Sequence, residues 1–438
     1  MAKGRKLKKV SNKTTELLDI DELKAISSGD YEIEAMSPDT EMPLCIECNG
    51  PVENHGRFCR ELIDVVQEDE KKRFARLQYY FYKYRCLDPE CSTVFQKPVN
   101  FVSENGKVTK RYENEVMKFL LYESIDNART DLQKYDIYGH PEDIISKPAI
   151  AKMVKRWVKE RDQERKFGSP VAMAFFYFRT YYCDYVIVTD ISKEPYRIIE
   201  VISPATELGI RQFMEKVDYG GIYYIVTDYN PIIVDTIKML LPDKKVVVST
   251  DSIKFALKNE FKEYIFSRLK TYSKYVRGMY LATPEEMSTY SGADLAKMSR
   301  INRDNKDIKQ VYNDYARLYG MLNNHRDILE VIKYVSALSE DTKNQIVLTV
   351  DYLKTYEKEL INYQYFDDGK GNSLYDELLE ISTVINRYYR VSTTDIFRAR
   401  ILYSEFEKKD DWRGIEVSRL LDLLRDMIKL GGLKEYER

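Results

Sequence analysis

Two close pairs of cysteines are the clearest chemistry in the chain: Cys45-Ile46-Glu47-Cys48 and, further on, Cys86-Leu87-Asp88-Pro89-Glu90-Cys91. Each pair fits a tight turn, and four thiolates brought together suit tetrahedral zinc, a closed structural site that stabilises a module too small for a core of its own. His55 and Cys59 lie between the pairs at less regular spacing and are left out of the ligand set. A second chemistry is suggested by two similar runs, Tyr185–Asp190 (YVIVTD) and Tyr223–Asp228 (YYIVTD). Short β-branched and aromatic runs read as buried strands, and open α/β sheets place their sites where strands end. Phosphodiester transfer uses two divalent cations roughly 4 Å apart, and Mg²⁺ or Mn²⁺ there requires hard oxygen ligands. Asp190 and Asp228 supply strand-end carboxylates, and Glu380, on a helix expected over 375–389, is the remote third candidate. Arg387 and Arg390 on that helix would pair with phosphate, and Glu377, one turn before Glu380, competes with it.

These residues need elements to position them. Residues 77–84 (LQYYFYKY) read as a strand entering the second cysteine knuckle. Three helices are expected next, at about 111–124, 126–134 and 147–165. In the last, Ser146 can cap, Pro148 suits the first turn, and Ile150, Met153, Val154 and Trp157 form an apolar stripe. Lys152, Lys155, Arg156 and Lys159 occupy another face, the pattern of a helix-turn-helix whose last helix meets DNA phosphates. The alternative is a solvated basic face on an ordinary helix. From about 171 the pattern is α/β: segments at 171–178, 183–189 and 197–202, a helix at 205–217, the strand ending at Asp228, a helix at 230–241 and the strand Val246–Val248. This β-β-β-α-β-α-β order is that of a ribonuclease-H-like mixed sheet. After Asp251 the pattern is almost wholly helical, with loops near 283–292 and 366–373.

The domains expected are an arm over 1–44, a zinc ribbon over 45–100, a helix-turn-helix over 108–168, and an α/β core over 171–258. A helical insertion over 259–372 and closing helices over 373–438 complete the chain. The arm is basic at its start and then reads as one short helix over 15–26. The 438 residues carry 32% charged side chains but a net charge of only −2, so any nucleic-acid surface must be a local patch. With 36 tyrosines and 17 phenylalanines the chain has ample apolar area to fold. No apolar run approaches a membrane span and no signal segment follows the basic start, so a cytoplasmic protein without membrane contact is expected.

Taken together, these segments resemble bacterial insertion-sequence transposases of the ISL-three type. Those proteins join a four-cysteine zinc ribbon, a helix-turn-helix and a DDE ribonuclease-H-like domain interrupted by helices. The likeness rests on the cysteine pairs, on Ile225-Val226-Thr227-Asp228 followed by a helix, and on Val246–Val248 before Asp251. Glu380 to Leu402 completes it, with Phe397-Arg398-Ala399-Arg400-Ile401-Leu402 similar to the family's closing Phe-Arg-x-Arg-Ile motif. The resemblance implies double-stranded DNA as partner, a homo-oligomer on paired element ends, and metal-dependent cleavage and strand transfer. It matches Asp228 to the second catalytic aspartate and Glu380 to the glutamate. The family's first aspartate lies on the first strand, where this chain has Ala172–Phe178 and no carboxylate. Asp251-Ser252-Ile253-Lys254 also departs from the family's Asp-Arg-Phe-His, and Thr383 and Arg387 stand where Asn and Lys are usual. Two readings stay open: Asp190 rebuilds the triad from the neighbouring strand, or the site has lost a ligand and the protein is a DNA-binding or regulatory derivative. For Asp190 the simple role is a turn residue, and for Asp251 a helix N-cap.

Overall fold

The computed structural model describes residues 24–28, 32–36, 42–68, 71–97, 99, 101–103, 107–122, 147–165, 167–179, 184–282, 284–323, 327–363, 374–388, 394–404 and 414–429. The chain forms two compact units, Met1–Glu164 and Arg165–Arg438.

The first unit is built on β1 (Lys24–Ser28), β2 (Glu32–Met36), β3 (Val52–Glu68), β4 (Lys71–Cys86) and β5 (Val94–Gln96). Its sheet order is β1-β2-β4-β3, with β5 also on β4. The strand expected over 77–84 is one part of a far longer hairpin, whose antiparallel ladder runs from Val52 opposite Cys86 to Glu68 opposite Lys71. The arm also differs from expectation. Of the helix read over 15–26, residues 15–23 lie outside the described residues, while Lys24–Ile26 belong to β1, and β2 pairs in parallel with β4. Local composition was a poor guide there because strand pairing satisfies the backbone groups of both segments, which overrides a weak helix preference.

The hairpin holds the next element through a buried acid. Asp64, 1% exposed, accepts hydrogen bonds from Thr109 and from the Arg111 guanidinium, fixing the entry to α1 (Lys110–Tyr122). Against α1 packs α2 (Lys147–Glu164), through an ion pair from Arg156 to Glu113 and a 3.0 Å bond donated by the Trp157 indole to Asn114. The predicted stripe of Ile150, Met153, Val154 and Trp157 is buried as the helical spacing requires. The expected middle helix at 126–134 and the Ser146 cap lie outside the described residues.

In the second unit β6 (Ala172–Arg179), β7 (Asp184–Asp190) and β8 (Arg197–Ile202) form an antiparallel meander. Helix α3 (Glu207–Met214) leads to β9 (Tyr224–Thr227), parallel to β6, and α4 (Pro231–Leu240) leads to β10 (Lys245–Val248), parallel to β9. The sheet order β10-β9-β6-β7-β8 therefore has the first strand at its centre, and the short β11 (Ile415–Glu416) extends the β8 edge. The fold is a mixed α/β sheet, with the element order read from the sequence. Capping sharpens both crossovers: the Thr206 hydroxyl accepts from Gly209 N, and Asn230 accepts from Ile232 N with Pro231 opening the helix. Met173, Phe175, Val186, Val188, Ile225 and Ile199 point to one face, against Ile210, Phe213, Ile233 and Ile237 of the crossover helices.

From β10 the chain enters helices α5 (Thr250–Arg268), α6 (Lys274–Met279), α7 (Pro284–Met287), α8 (Gly292–Asp304) and α9 (Lys306–Asn323). The helices α10 (Ile328–Ala337), α11 (Glu340–Lys343), α12 (Val347–Thr355) and α13 (Glu357–Tyr363) follow. Their tyrosines are core material: Phe261 stacks on Tyr315 at 3.9 Å within one cluster that includes Val248, Leu257, Leu318 and Val331. The chain then returns to the sheet with α14 (Leu374–Tyr388), α15 (Thr394–Tyr403), β11 and α16 (Val417–Lys429). Phe397 of α15 sits 4.3 Å from the Tyr185 ring, and Arg398 reaches Glu200 of β8 with bonds of 2.7 and 3.1 Å. Arg165 binds the same buried carboxylate at 2.9 Å. The Phe-Arg segment of the sequence is thus a clamp that fastens the last helices to the sheet.

Candidate functional site

The four expected metal-ligating cysteines converge. Sγ of Cys45 lies 3.7 Å from that of Cys91, Sγ of Cys48 lies 3.4 Å from that of Cys86, and all four lie within 4.8 Å of one another. A tetrahedron of thiolates about 2.3 Å from a central ion has edges of roughly 3.8 Å, so the set fits a metal ion and is far too open for disulfides. Two turns make the set possible. Asn49 and Ser92, each just after the second cysteine of its pair, adopt positive φ of 55° and 41°, and backbone bonds close the turns from Asn49 N to Cys45 O and from Ser92 N to Asp88 O. Gly50 leaves necessary room, since a Cβ there would stand 3.2 Å from the Cys48 sulfur. Backbone N–H groups of Cys48 and Glu47 hold the Cys45 thiol down at about 7, while burial pushes Cys86 up to about 12. An ion would remove the second cost by binding the thiolate outright. Cys59 is exposed on β3 opposite Tyr80, well apart from this group, as its irregular spacing suggested.

The carboxylates do not converge. Asp190 pairs in register with Met173, near the start of β6, whereas Asp228 follows Thr227, which pairs with Phe175. Asp228 therefore stands three residues further along β6 and on its other side, since β7 and β9 flank β6. Strand geometry puts the two backbones roughly 14 Å apart, beyond the reach of side chains that would have to share an ion. Asp190 instead accepts a 2.9 Å bond from Ser192 N, the turn role. Glu380 is likewise turned away, held by Arg425 of α16 through two bonds of 3.0 and 2.9 Å. The triad of Asp228, Glu380 and Asp190 is therefore not assembled, and among the described residues no group of three carboxylates gathers as the cysteines do. On β6, Phe176 packs edge-on against Tyr375 of α14 at 5.2 Å.

Asp228 itself is 3% exposed, accepting hydrogen bonds from the backbone N–H groups of Asn230 and Tyr177. Burial raises its carboxyl to about 7, against the downward pull of those donors. A carboxyl with a folded value above its unfolded one near 3.9 binds its proton more tightly when folded. Its contribution to stability is full at low pH, falls as pH rises from about 4 to 7, and levels off above that. Three units correspond to a loss on the order of 4 kcal/mol. Asp228→Asn mimics the protonated form, so its urea midpoint should change less between pH 5 and pH 8 than that of the unchanged protein. Equal slopes would show that Asp228 is not the group responsible.

Beside Asp228 the structure gathers residues that sequence reading treated singly. Asp251 lies in the first turn of α5 and is not its N-cap; that position falls two residues earlier, at Ser249, whose side chain makes no capping bond. Asp251 pairs with Lys254 at 2.9 Å, and Lys254 also reaches Asp376 of α14 at 3.6 Å. Burial pulls the Lys254 ammonium down, but the two carboxylates more than reverse it. Tyr375, packed on Phe176, Phe178 and Phe255, is pushed well above its ordinary range by burial and then by Asp228. The i, i+3 spacing of Asp251 and Lys254 was readable; their meeting with Asp376 was not.

On α2, Lys152, Lys155 and Lys159 are exposed, whereas Arg156 is partly buried against Glu113 and serves the helix pair. The side chain of Arg387 and all of Arg390 lie outside the described residues. The hairpin carries a further basic surface: Arg57 lies 4.2 Å over the Tyr80 ring, Lys83 lies 4.5 Å over Phe58, and Arg60 lies 5.4 Å over Phe81. No described helix is long and apolar enough to cross a membrane. No family model matches the chain, and no curated protein matches it significantly.

Proposed function

We propose that this is a double-stranded-DNA-binding protein on a transposase-like scaffold, with its cysteine set holding structural zinc and its strand-transfer chemistry lost. The central-first strand order and the crossovers support a ribonuclease-H-like reading of the second unit. The observation that carries the DNA reading is the hairpin beside the cysteines. Arg57 lies on one of its faces and Lys83 on the other, each set on an aromatic ring. Some β-sheet proteins lay strands in a DNA groove, and β3 is an edge of this sheet, so cations on the two faces beside that edge would meet both phosphate walls. The exposed lysines of α2 would add phosphate contacts. Loss of cleavage is favoured by the register, which separates Asp190 from Asp228, and by the engagement of Glu380 with Arg425.

Binding of duplex DNA measured by fluorescence anisotropy across a salt series tests this reading. Arg57→Ala combined with Lys83→Ala should weaken binding and lower the slope of log K against log salt by about 2, one unit for each phosphate left without its cation. A duplex that does not bind, or a slope unchanged in the double variant, would overturn it. Mg²⁺- or Mn²⁺-dependent strand cleavage abolished by Asp228→Ala would restore the catalytic reading instead. If paired DNA ends are held, the bound species should contain at least two copies of the chain by light scattering.

A further inference from the structure

A cavity of about 300 Å³ opens beside the Lys254 bridge, between α5, α9 and α14. Three lysines line it at helical spacing along α5: Lys254, Lys258 and Lys262. Their charges are not equally engaged. Lys254 is bound to Asp251 and Asp376, but neither Lys258 nor Lys262 has a carboxylate partner among the described residues. Lys258 is half-buried, and the Lys262 ammonium lies 5.9 Å from the Phe266 ring. The Asn259 amide, also in the wall, has no side-chain hydrogen bond among the described residues. The rest of the wall is planar and apolar: Phe255 of the same helix, with Tyr319, Leu281 and Leu379. An unpaired, half-buried ammonium is costly unless an anion meets it, and a flat apolar wall next to it adds room for a ring.

We propose that this cavity binds a single nucleotide unit, its phosphate on Lys258 and Lys262 and its base between Phe255 and Tyr319. The Asp376 carboxylate at the other end accepts hydrogen bonds from sugar hydroxyl or base amino groups and keeps a second phosphate out. The volume is at the lower end of small-molecule pockets, which admits one unit and excludes a longer strand inside the cavity. The same chemistry is offered by a free nucleoside monophosphate and by the 5′-phosphorylated end of a strand. The site lies wholly in the second unit, whereas the DNA contacts assigned to the hairpin belong to the first.

Calorimetric titration of the full chain with deoxyadenosine monophosphate, inorganic phosphate, deoxyadenosine and a 5′-phosphorylated trinucleotide tests the proposal. Saturable binding of the monophosphate is expected, at least ~10-fold tighter than of phosphate or nucleoside alone, because neither part fills both halves of the cavity. Lys258→Met and Lys262→Met should each weaken it by about 10-fold, as for removal of one charge-assisted bond, without moving the urea midpoint. Binding of the monophosphate but not the trinucleotide assigns the site to free nucleotide; binding of both assigns it to strand ends. No saturable binding, or affinity unchanged in the Lys258→Met, Lys262→Met double variant, overturns the site. Duplex binding by that double variant should be unimpaired, and nucleotide binding should survive Arg57→Ala with Lys83→Ala, so the two readings fail separately.

Discussion

Cys86→Ser is expected to release the metal ion and unfold the cysteine end of the hairpin. Cys86 is buried in a small cluster with Cys45, Val52, Tyr84 and Phe95, which is too few side chains to hold two knuckles and a β5 edge without further support. In such modules the binding of the ion is a large part of folding, with apparent values on the order of 10 kcal/mol at neutral pH. Serine keeps the volume but gives up the soft anionic ligand, so a three-sulfur remnant should bind far more weakly. Metal analysis of the purified protein should give one zinc per chain, falling well below that in the variant. Limited proteolysis should then open the segment around residues 42–97, as a strong chelator should in the unchanged protein. Full metal content with an unaltered proteolysis pattern in Cys86→Ser would remove the metal-centre reading. Cys59→Ser, on the exposed strand, should change neither.

The second large effect is expected from Glu200→Ala. This glutamate is 6% exposed and binds both Arg165 and Arg398, so its removal leaves two guanidinium groups without their shared counter-ion. The Arg165 side chain is 2% exposed and the Arg398 side chain 17%, so water cannot easily replace the carboxylate at Arg165. Breaking a buried charge arrangement by deleting one member costs roughly 3–5 kcal/mol, against a typical total stability of about 5–15 kcal/mol. Urea unfolding should show that loss as a lower midpoint, and deleting Arg398 as well should recover part of it, since one orphaned charge then disappears. An unfolding free energy within about 0.5 kcal/mol of that of the unchanged protein would mean that the network carries little of the closing contact.

The order of strands in the second unit was legible because each run announces itself: Tyr185–Thr189 and Ile225–Thr227 are β-branched, apolar and bounded by turn residues. The cysteine site was legible for a different reason, since two close pairs carry their geometry in their spacing. The expected grouping of Asp190, Asp228 and Glu380 rested on local likeness. YVIVTD and YYIVTD look alike, yet β7 runs antiparallel to β6 and β9 parallel to it, which leaves their aspartates on either side of β6 and three residues apart along it. Nothing within six residues reports strand direction. Glu380 was misassigned for a similar reason, because its partner Arg425 lies on a closing helix whose packing against α14 no local pattern reports. The extent of the hairpin was missed because residues 52–68 mix charges with apolar residues and show no sustained alternation. Arg165 with Glu200, and Lys254 with Asp376, meet only through tertiary structure.

The clamp of Phe397 and Arg398 has a consequence for how the protein is made. After Val248 the chain runs through α5 to α13 before α14 and α15 reach Phe176 of β6, Tyr185 of β7 and Glu200 of β8, so this part of the sheet waits for helices synthesised well after it. Until they emerge, Phe176 and Tyr185 lack the rings of Tyr375 and Phe397 that pack on them, and the nascent sheet is a sticky, half-finished surface of the kind that recruits chaperones. Contacts spanning this much sequence form slowly. Ribosome pausing within the helical segment would therefore lengthen the vulnerable interval, whereas pausing after Tyr403 would allow the sheet to close.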